Sequence, residues 1–410
     1  MKRGFYTILA AQFFSALADN ALLFAAIALL ASLHAQAWQT PVLQQFFVFA
    51  YIVLAPFVGP FADSLPKGRV MFVANAVKLL GCVAMLMGTH PLLAYGLVGV
   101  GAAMYSPAKY GILTEYLPHQ KLVLANGWME GLTVAAIILG SILGGIMVSA
   151  RFAGYIFSRI DFPLVETGID TPPELAITVI LMLYFSAAVI NLYIPKLAID
   201  HKLQKRNPVF IMQDFWHSFR LLWRDPLGQV SLAVTTLFWG AGATLRLIVL
   251  TWASMALKFS LEKATQLTAV VAFGIALGSV LAAKYVSLKR AVRVLPVGIA
   301  MGVLVMTMVF VNDWRIAIVL LVLIGAMGGY FVVPMNALLQ HRGHLLMGAG
   351  HSIAVQNFNE NLSILVLLGV YALMIKVDVS IRGIIITFGL FIAVAMGYLT
   401  RKHWHDQDSK

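Results

Sequence analysis

The sequence predicts an all-α integral membrane protein whose twelve transmembrane helices form two pseudo-symmetric six-helix halves. Three observations carry this. The 410 residues are 60% hydrophobic and only 11% charged, against about 25% charged in soluble domains, and mean hydropathy is +0.87. Apolar runs of about 20 residues recur, enough to cross ~30 Å of hydrocarbon; barrel strands would be half as long and would alternate. The longest polar stretch, 196–228, divides these runs six and six.

In order, the expected spans are 5–33, 43–62, 70–89, 92–112, 121–149, 175–195, 229–253, 266–286, 292–311, 315–339, 347–375 and 382–400. They define an N-terminal half (1–195), a cytoplasmic linker (196–228) and a C-terminal half with a short cytoplasmic tail (229–410). The first run is long enough to span and lacks a small-residue cleavage site, so no cleavable signal peptide is expected. With the N-terminus in the cytoplasm, 19 of the 29 Lys and Arg fall inside, among them Lys202, Lys205, Arg206, Arg220 and Arg224. Seven, including Arg151 and Arg159, fall outside. That bias places both termini in the cytoplasm by the positive-inside rule. In the linker, VFIMQDFWHSFRLLWR (209–224) mixes Phe and Trp with Arg, as in a helix lying on the inner membrane surface; an ordinary packed linker helix is the alternative.

The net charge of +12 is spread over short loops, so no nucleic-acid partner is expected. Cys82 is the only cysteine, and no metal-ligand spacing exists; neither a disulfide, a metal nor a cofactor is expected. A weak repeat sets GVGAAMYSPAKYGIL (99–113) beside GAMGGYFVVPMNALL (325–339), and FFSALADNALLF (13–24) beside LFWGAGATLRLIVL (237–250). Transporters are often built from such halves, with the substrate site between them.

Six ionisable residues stand well inside spans, away from their ends: Asp19, Lys78, Lys109, Glu130, Arg246 and Glu360. A charged side chain at mid-span costs roughly 2.5–3.5 kcal/mol on the insertion scale, so such residues face a cavity or one another. By helix rise, Asp19, followed by Asn20, is ~21 Å into span one and Arg246 ~26 Å into span seven. If those spans face each other, the two would pair or hold opposite ends of a polar ligand; a structural ion pair locking the halves is the alternative. Glu130 is ~14 Å into span five. In span eleven, AVQNFNENL (354–362) carries Gln356, Asn357, Asn359, Glu360 and Asn361. Five polar residues in six positions cover most of a helix circumference, lining a cavity or bonding to neighbouring helices. Lys78 is expected to snorkel to the cytoplasmic surface. Lys109 follows Pro107, which frees backbone carbonyls for a kink and a local polar site.

Between spans two and three, GPFADSLPKGR (59–69) resembles the loop motif G-x-x-x-D-x-x-G-R of the major facilitator superfamily, through Gly59, Asp63, Gly68 and Arg69, with two extra residues before Gly68. The resemblance implies the major facilitator fold, with spans one and seven lining a central cavity. A closer resemblance is to the bacterial lysophospholipid transporters of the LplT family. It rests on ADNALLF (18–24), APFVGPFADSLPKGRVM (55–71), LVGVGAAMYSPAKYGIL (97–113), LANGWMEG (124–131), LFWGAGATLR (237–246), MGGYFVVPMNALLQ (327–340) and AVQNFNEN (354–361).

That resemblance implies movement of lysophosphatidylethanolamine and related lysolipids across the bacterial inner membrane to the inner leaflet, where an acyltransferase re-acylates them. The outer loop 150–174 is longer than the family usually has. The headgroup's phosphate would be held by Arg246 and Lys109, and its ammonium by Asp19 with Glu130 or Glu360. Gln356, Asn357 and Asn20 complete the candidate substrate site. The tail would lie along apolar walls or in membrane lipid through a gap between helices, with Gly140, Gly144 and Gly145 permitting close, shifting contacts.

Two rivals are open to test. A proton-coupled exporter of the same fold would use Asp19 and Glu130 as proton carriers, but ILGSILGGI (138–146) lacks the proline of the usual Gly-Pro motif. A lipid-modifying acyltransferase would need a His-x4-Asp signature. It occurs once, in the polar tail HWHDQD (403–408), where no stable pocket is expected.

Overall fold

The computed structural model describes residues 3–35, 39–118, 121–157, 170–195, 207–259 and 261–403. Each apolar run is one helix, because backbone N–H and C=O groups in hydrocarbon must be satisfied within the segment. The helices are α1 (Arg3–Ser32), α2 (Gln39–Ser64), α3 (Lys67–Leu86), α4 (Pro91–Tyr116), α5 (Leu122–Met147), α6 (Ala150–Phe157), α7 (Pro172–Leu192), α8 (Pro208–Arg224), α9 (Pro226–Ala256), α10 (Leu261–Tyr285), α11 (Leu295–Thr307), α12 (Trp314–Met347), α13 (Ala349–Lys376) and α14 (Ile381–His403). Among the described residues, eleven helical segments are long and apolar enough to cross a membrane. The twelfth expected span, α4, has 26 residues, but its tyrosines, glycines, Pro107 and Lys109 dilute its apolarity.

Two helices lie between spans: α6 in the loop between α5 and α7, and α8 in the linker. Span nine differs from expectation. Its α-helix has 13 residues and is flanked by 3-10 turns, Leu288–Val294 and Met308–Phe310. Span ten runs past 339 to Met347, where Gly348 at φ 91° makes the turn into α13 that a side chain would resist. The starts are set by local chemistry. Glu174 accepts the N–H groups of Asp170 and Thr171, both at 2.9 Å, ahead of α7. Asn207, Asp225 and Asp313 cap α8, α9 and α12 by accepting from Val209, Gly228 and Arg315. The rest of the 150–174 loop (158–169), Arg159, the linker basics Lys202, Lys205 and Arg206, and the tail beyond His403 lie outside the described residues.

The chain divides into two compact units. The first is Met1–Ile112 with Ala136–Arg206, where α7 packs on α1 and α3. Its core is Ala18, Ala21, Leu22, Ala25, Cys82, Val98, Ile177, Ile180 and Tyr184. The alanines of α1 let neighbours approach: a Cβ on Gly140 of α5 would lie 2.8 Å from Leu17 O, and one on Gly144 2.8 Å from Ala21 O. A Cβ on Gly145, expected to share this role, would meet nothing within 4 Å among the described residues; it points away from α1.

The second unit is Leu113–Ala135 with Asn207–Lys410, so α5 contributes its first half here and its second half to the first unit. In it α10 packs on α12, α11 on α14 and α13 on α9. The α10–α12 approach is glycine-made: a Cβ on Gly325 or Gly329 would come within 2.9 Å of Ile275 backbone atoms. Phe331, Val332, Val333, Met335 and Leu338 fill the core, with Phe238 edge-on to Phe331 at 5.8 Å.

Candidate functional site

In the first unit, three helices bring polar side chains to one place. Gln12, Ser15 and Asp19 sit at i, i+3 and i+7 on α1, and Asn75 and Lys78 share a face of α3. Lys78 Nζ donates to Asp19 Oδ2 at 2.8 Å and to Ser15 Oγ at 3.0 Å. Ser15 Oγ donates to Asn75 Oδ1 at 2.8 Å, and Tyr184 OH from α7 donates to Asp19 Oδ1 at 2.6 Å. The Lys78 ammonium also lies 4.9 Å from the centroid of the Tyr105 ring and 5.5 Å from that of Tyr184, close enough for cation–π attraction.

Lys78 therefore does not snorkel. Its side chain is 1% exposed, while that of Asp19 is 25% exposed. A carboxylate at hand outweighs the reach of a long side chain toward water, because both charges are then neutralised where they stand. Asp19 is held by two donors and keeps one edge open. Asn20 turns back on its own helix, its Nδ2 donating to Ala16 O at 2.8 Å. Lys109, partly buried, lies 4.5 Å from the centroid of the Tyr110 ring. It is one turn beyond Tyr105 on the same face of α4, so that face continues from Lys78 toward Lys109.

The second unit holds the other candidates. On α13, Gln356 Nε2 donates to Asn336 Oδ1 of α12 at 2.9 Å and to Glu360 Oε1 at 2.7 Å. Glu130 of α5 and Glu360 are both buried. Asn357 and Asn359 are buried as well. Asn359 accepts from Trp223 Nε1 of α8 at 3.3 Å, and Asn361 bonds back to Asn357 O. The polar run thus divides its partners between α12, α8 and its own backbone. Arg246 on α9 is partly buried. One turn before Glu130, Asn126 and Gln340 of α12 form a reciprocal amide pair, Nδ2 to Oε1 at 2.7 Å and Nε2 to Oδ1 at 2.8 Å, both fully inside.

The loop motif is compact. The two extra residues make the turn Leu65–Pro66 between α2 and α3 and set Lys67 four residues after Asp63. Lys67 Nζ donates to Asp63 Oδ1 at 2.6 Å and to Ala62 O at 2.8 Å. Gly59 is buried, and Arg69 is exposed. At Gly68 a Cβ would meet Asn191 O of α7 at 2.9 Å, so that position admits only glycine without displacement. Among the described residues no three His, Cys, Asp or Glu side chains gather as a metal would require.

Sequence reading missed Ser15, Asn75, Tyr184, Asn336 and the Asn126–Gln340 pair. The first two were detectable as polar residues in helical register with Asp19 and Lys78. A tyrosine in an apolar run gives no such signal.

Residues 8–368 match the family model of the Major Facilitator Superfamily. A lysophospholipid transporter LplT of Yersinia enterocolitica is 45% identical over 383 residues, covering 93% of this chain and 89% of that protein. The transporter of the same name from Escherichia coli is 45% identical over 395 residues, covering 96% and 94%. Among solved structures, a bacterial homologue of the iron transporter ferroportin in its outward-facing state superposes with a TM-score of 0.73 at 14% identity, covering 100% of both chains. That likeness speaks for the fold alone.

Proposed function

The chain belongs to the major facilitator superfamily and, within it, to the lysophospholipid transporter LplT family; from that premise we propose how it handles a lysolipid headgroup. It is a multi-pass membrane transporter of lysophospholipids. Lysophosphatidylethanolamine is the chief substrate, moved across the bacterial inner membrane to the inner leaflet by alternating access, with lateral entry from the bilayer. Both termini lie in the cytoplasm, as the basic-residue bias supports. The chain carries out no chemistry of its own, and an inner-membrane acyltransferase consumes what it delivers.

The observation that carries the headgroup reading is the Asp19–Lys78 pair, buried at the lysine and open at the carboxylate. A zwitterionic headgroup brings its own ammonium and phosphate. If the ammonium takes the open edge of Asp19, Lys78 is released toward the phosphate, and every charge keeps a partner throughout. That exchange avoids the penalty of stranding a charge in a low-dielectric site. Lys109 and Arg246 supply further phosphate contacts, Lys109 as a point charge and Arg246 as a planar fork. Glu130 and Glu360, with Gln356 and Asn357, offer the ammonium a second acceptor set in the other unit, and Asn20 borders Asp19. Gly59 and Asp63 in the last turns of α2, with Gly68 and Arg69 in the first turn of α3, flank the turn that governs the movement of α2 against α3.

Uptake of a labelled lysolipid panel into vesicles containing the purified chain, with and without ion gradients, tests this. Lysophosphatidylethanolamine is expected to enter faster than a lysolipid whose headgroup lacks an ammonium. Equal rates would remove Asp19 from headgroup recognition. Dye resistance conferred on a sensitive host, with no lysolipid uptake, would favour the exporter.

A further inference from the structure

The linker helix α8 has one face fastened and one face turned outward. Phe215, Ser218 and Leu222 are buried in a stripe at i, i+3 and i+7. The rings of Phe215, Trp216 and Phe219 surround Phe358 of α13 at centroid distances of 5.6, 6.0 and 6.1 Å. Trp223 Nε1 donates to Asn359 Oδ1 at 3.3 Å, and Asp214 Oδ2 lies 3.1 Å from His351 Nε2. Asp225, which ends α8 and caps α9, receives the Arg342 guanidinium at both oxygens. All the α13 residues that hold α8 share that helix with Gln356 and Glu360.

The outward face is apolar and basic. Val209, Phe210, Met212 and Trp216 are exposed, as are Arg220 and Arg224. At 100° per residue, Val209 and Met212 make one flank, bordered by Trp216, which touches Phe358 on one side and is exposed on the other, and the two arginines run beside it, one and two turns after Trp216. The single acidic residue of α8, Asp214, is turned to His351. Only Asp225 separates α8 from α9, a span, so the helix is held at the membrane edge. An apolar flank edged by arginines at that level matches the acyl boundary and the anionic headgroups above it.

We propose that the outward face of α8 docks on anionic lipid of the inner leaflet and that α8 passes this engagement to α13. The docking is independent of what is transported; the transmission rests on the transport reading. Amide hydrogen exchange over 209–224 tests the first part, using the full chain in nanodiscs of phosphatidylcholine alone or with one part in three phosphatidylglycerol. Protection is expected to rise with the anionic lipid and to fall about fivefold for each arginine neutralised in Arg220→Gln/Arg224→Gln. Equal protection in both lipids overturns the docking, and protection that rises only when a membrane-protein fraction is added assigns the face to a protein partner instead. For the second part, Trp223→Phe keeps the ring and removes the bond to Asn359. It is expected to keep the lipid-dependent protection while lysolipid translocation loses its dependence on lipid charge. Dependence that persists unchanged overturns the transmission. A chain that docks on anionic lipid yet moves no lysolipid supports the docking and sinks the transport reading instead.

Discussion

At the scale of the residue, the decisive feature is that Asp19 is not alone. Its oxygens are taken by Lys78 and Tyr184, and removing one partner of such a pair costs far more than replacing both. Lys78→Met is therefore expected to destabilise the protein by roughly 3–5 kcal/mol, toward the low end because Asp19 keeps a quarter of its surface open. The double variant Asp19→Asn/Lys78→Met is expected to recover most of that loss and yet move no lysolipid. Thermal unfolding in detergent, read beside translocation, separates the two effects. A double variant as unstable as the single would mean that the pair is not the source of the stability. Asp19 was legible because a carboxylate in an apolar run has few explanations. Lys78 departs from expectation because a long side chain within a span has two, reaching water or reaching a partner. The choice depends on which helix abuts α3, and sequence alone does not contain that.

At the scale of the element, helix contacts rest on small residues and on amide pairs. A side chain on Gly144 would meet the α1 backbone at Ala21, whereas Gly145 has open space beside it. Gly144→Val is expected to slow translocation severely, and Gly145→Ala to leave it near the wild-type rate; the same vesicle assay reads both. The glycine stripe was visible in the sequence. Which of its members touches α1 was not, because adjacent positions point about 100° apart and the facing direction comes from packing.

The Asn126–Gln340 pair makes a second expectation. Asn126→Leu strands a buried amide and is expected to cost about 1–3 kcal/mol. Asn126→Leu/Gln340→Leu is expected to cost less than the sum of the single changes, by unfolding midpoints. Additive losses would show that the two amides do not depend on each other.

At the scale of the whole molecule, the membrane-spanning plan was almost fully legible. Hydrocarbon forces helices, and spans of about 20 apolar residues announce themselves. The exceptions have local causes: Gly348 ends α12 eight residues later than its apolar run suggested, and 3-10 turns replace the ends of span nine. The intramembrane charges named the candidate site, but their partners were legible only as a list of types. In the proposed cycle these charges trade partners with a zwitterionic headgroup, so the proposal stands on the charges rather than on the fold, which many unrelated cargoes share.

The most direct measurement is the translocation of lysophosphatidylethanolamine into vesicles by the reconstituted chain and by Asp19→Asn and Arg246→Ala. The account predicts that each variant, folded as judged by its unfolding midpoint, loses about tenfold or more in rate, the equivalent of ~1.4 kcal/mol or more of headgroup contact. Wild-type rates in both variants would contradict it.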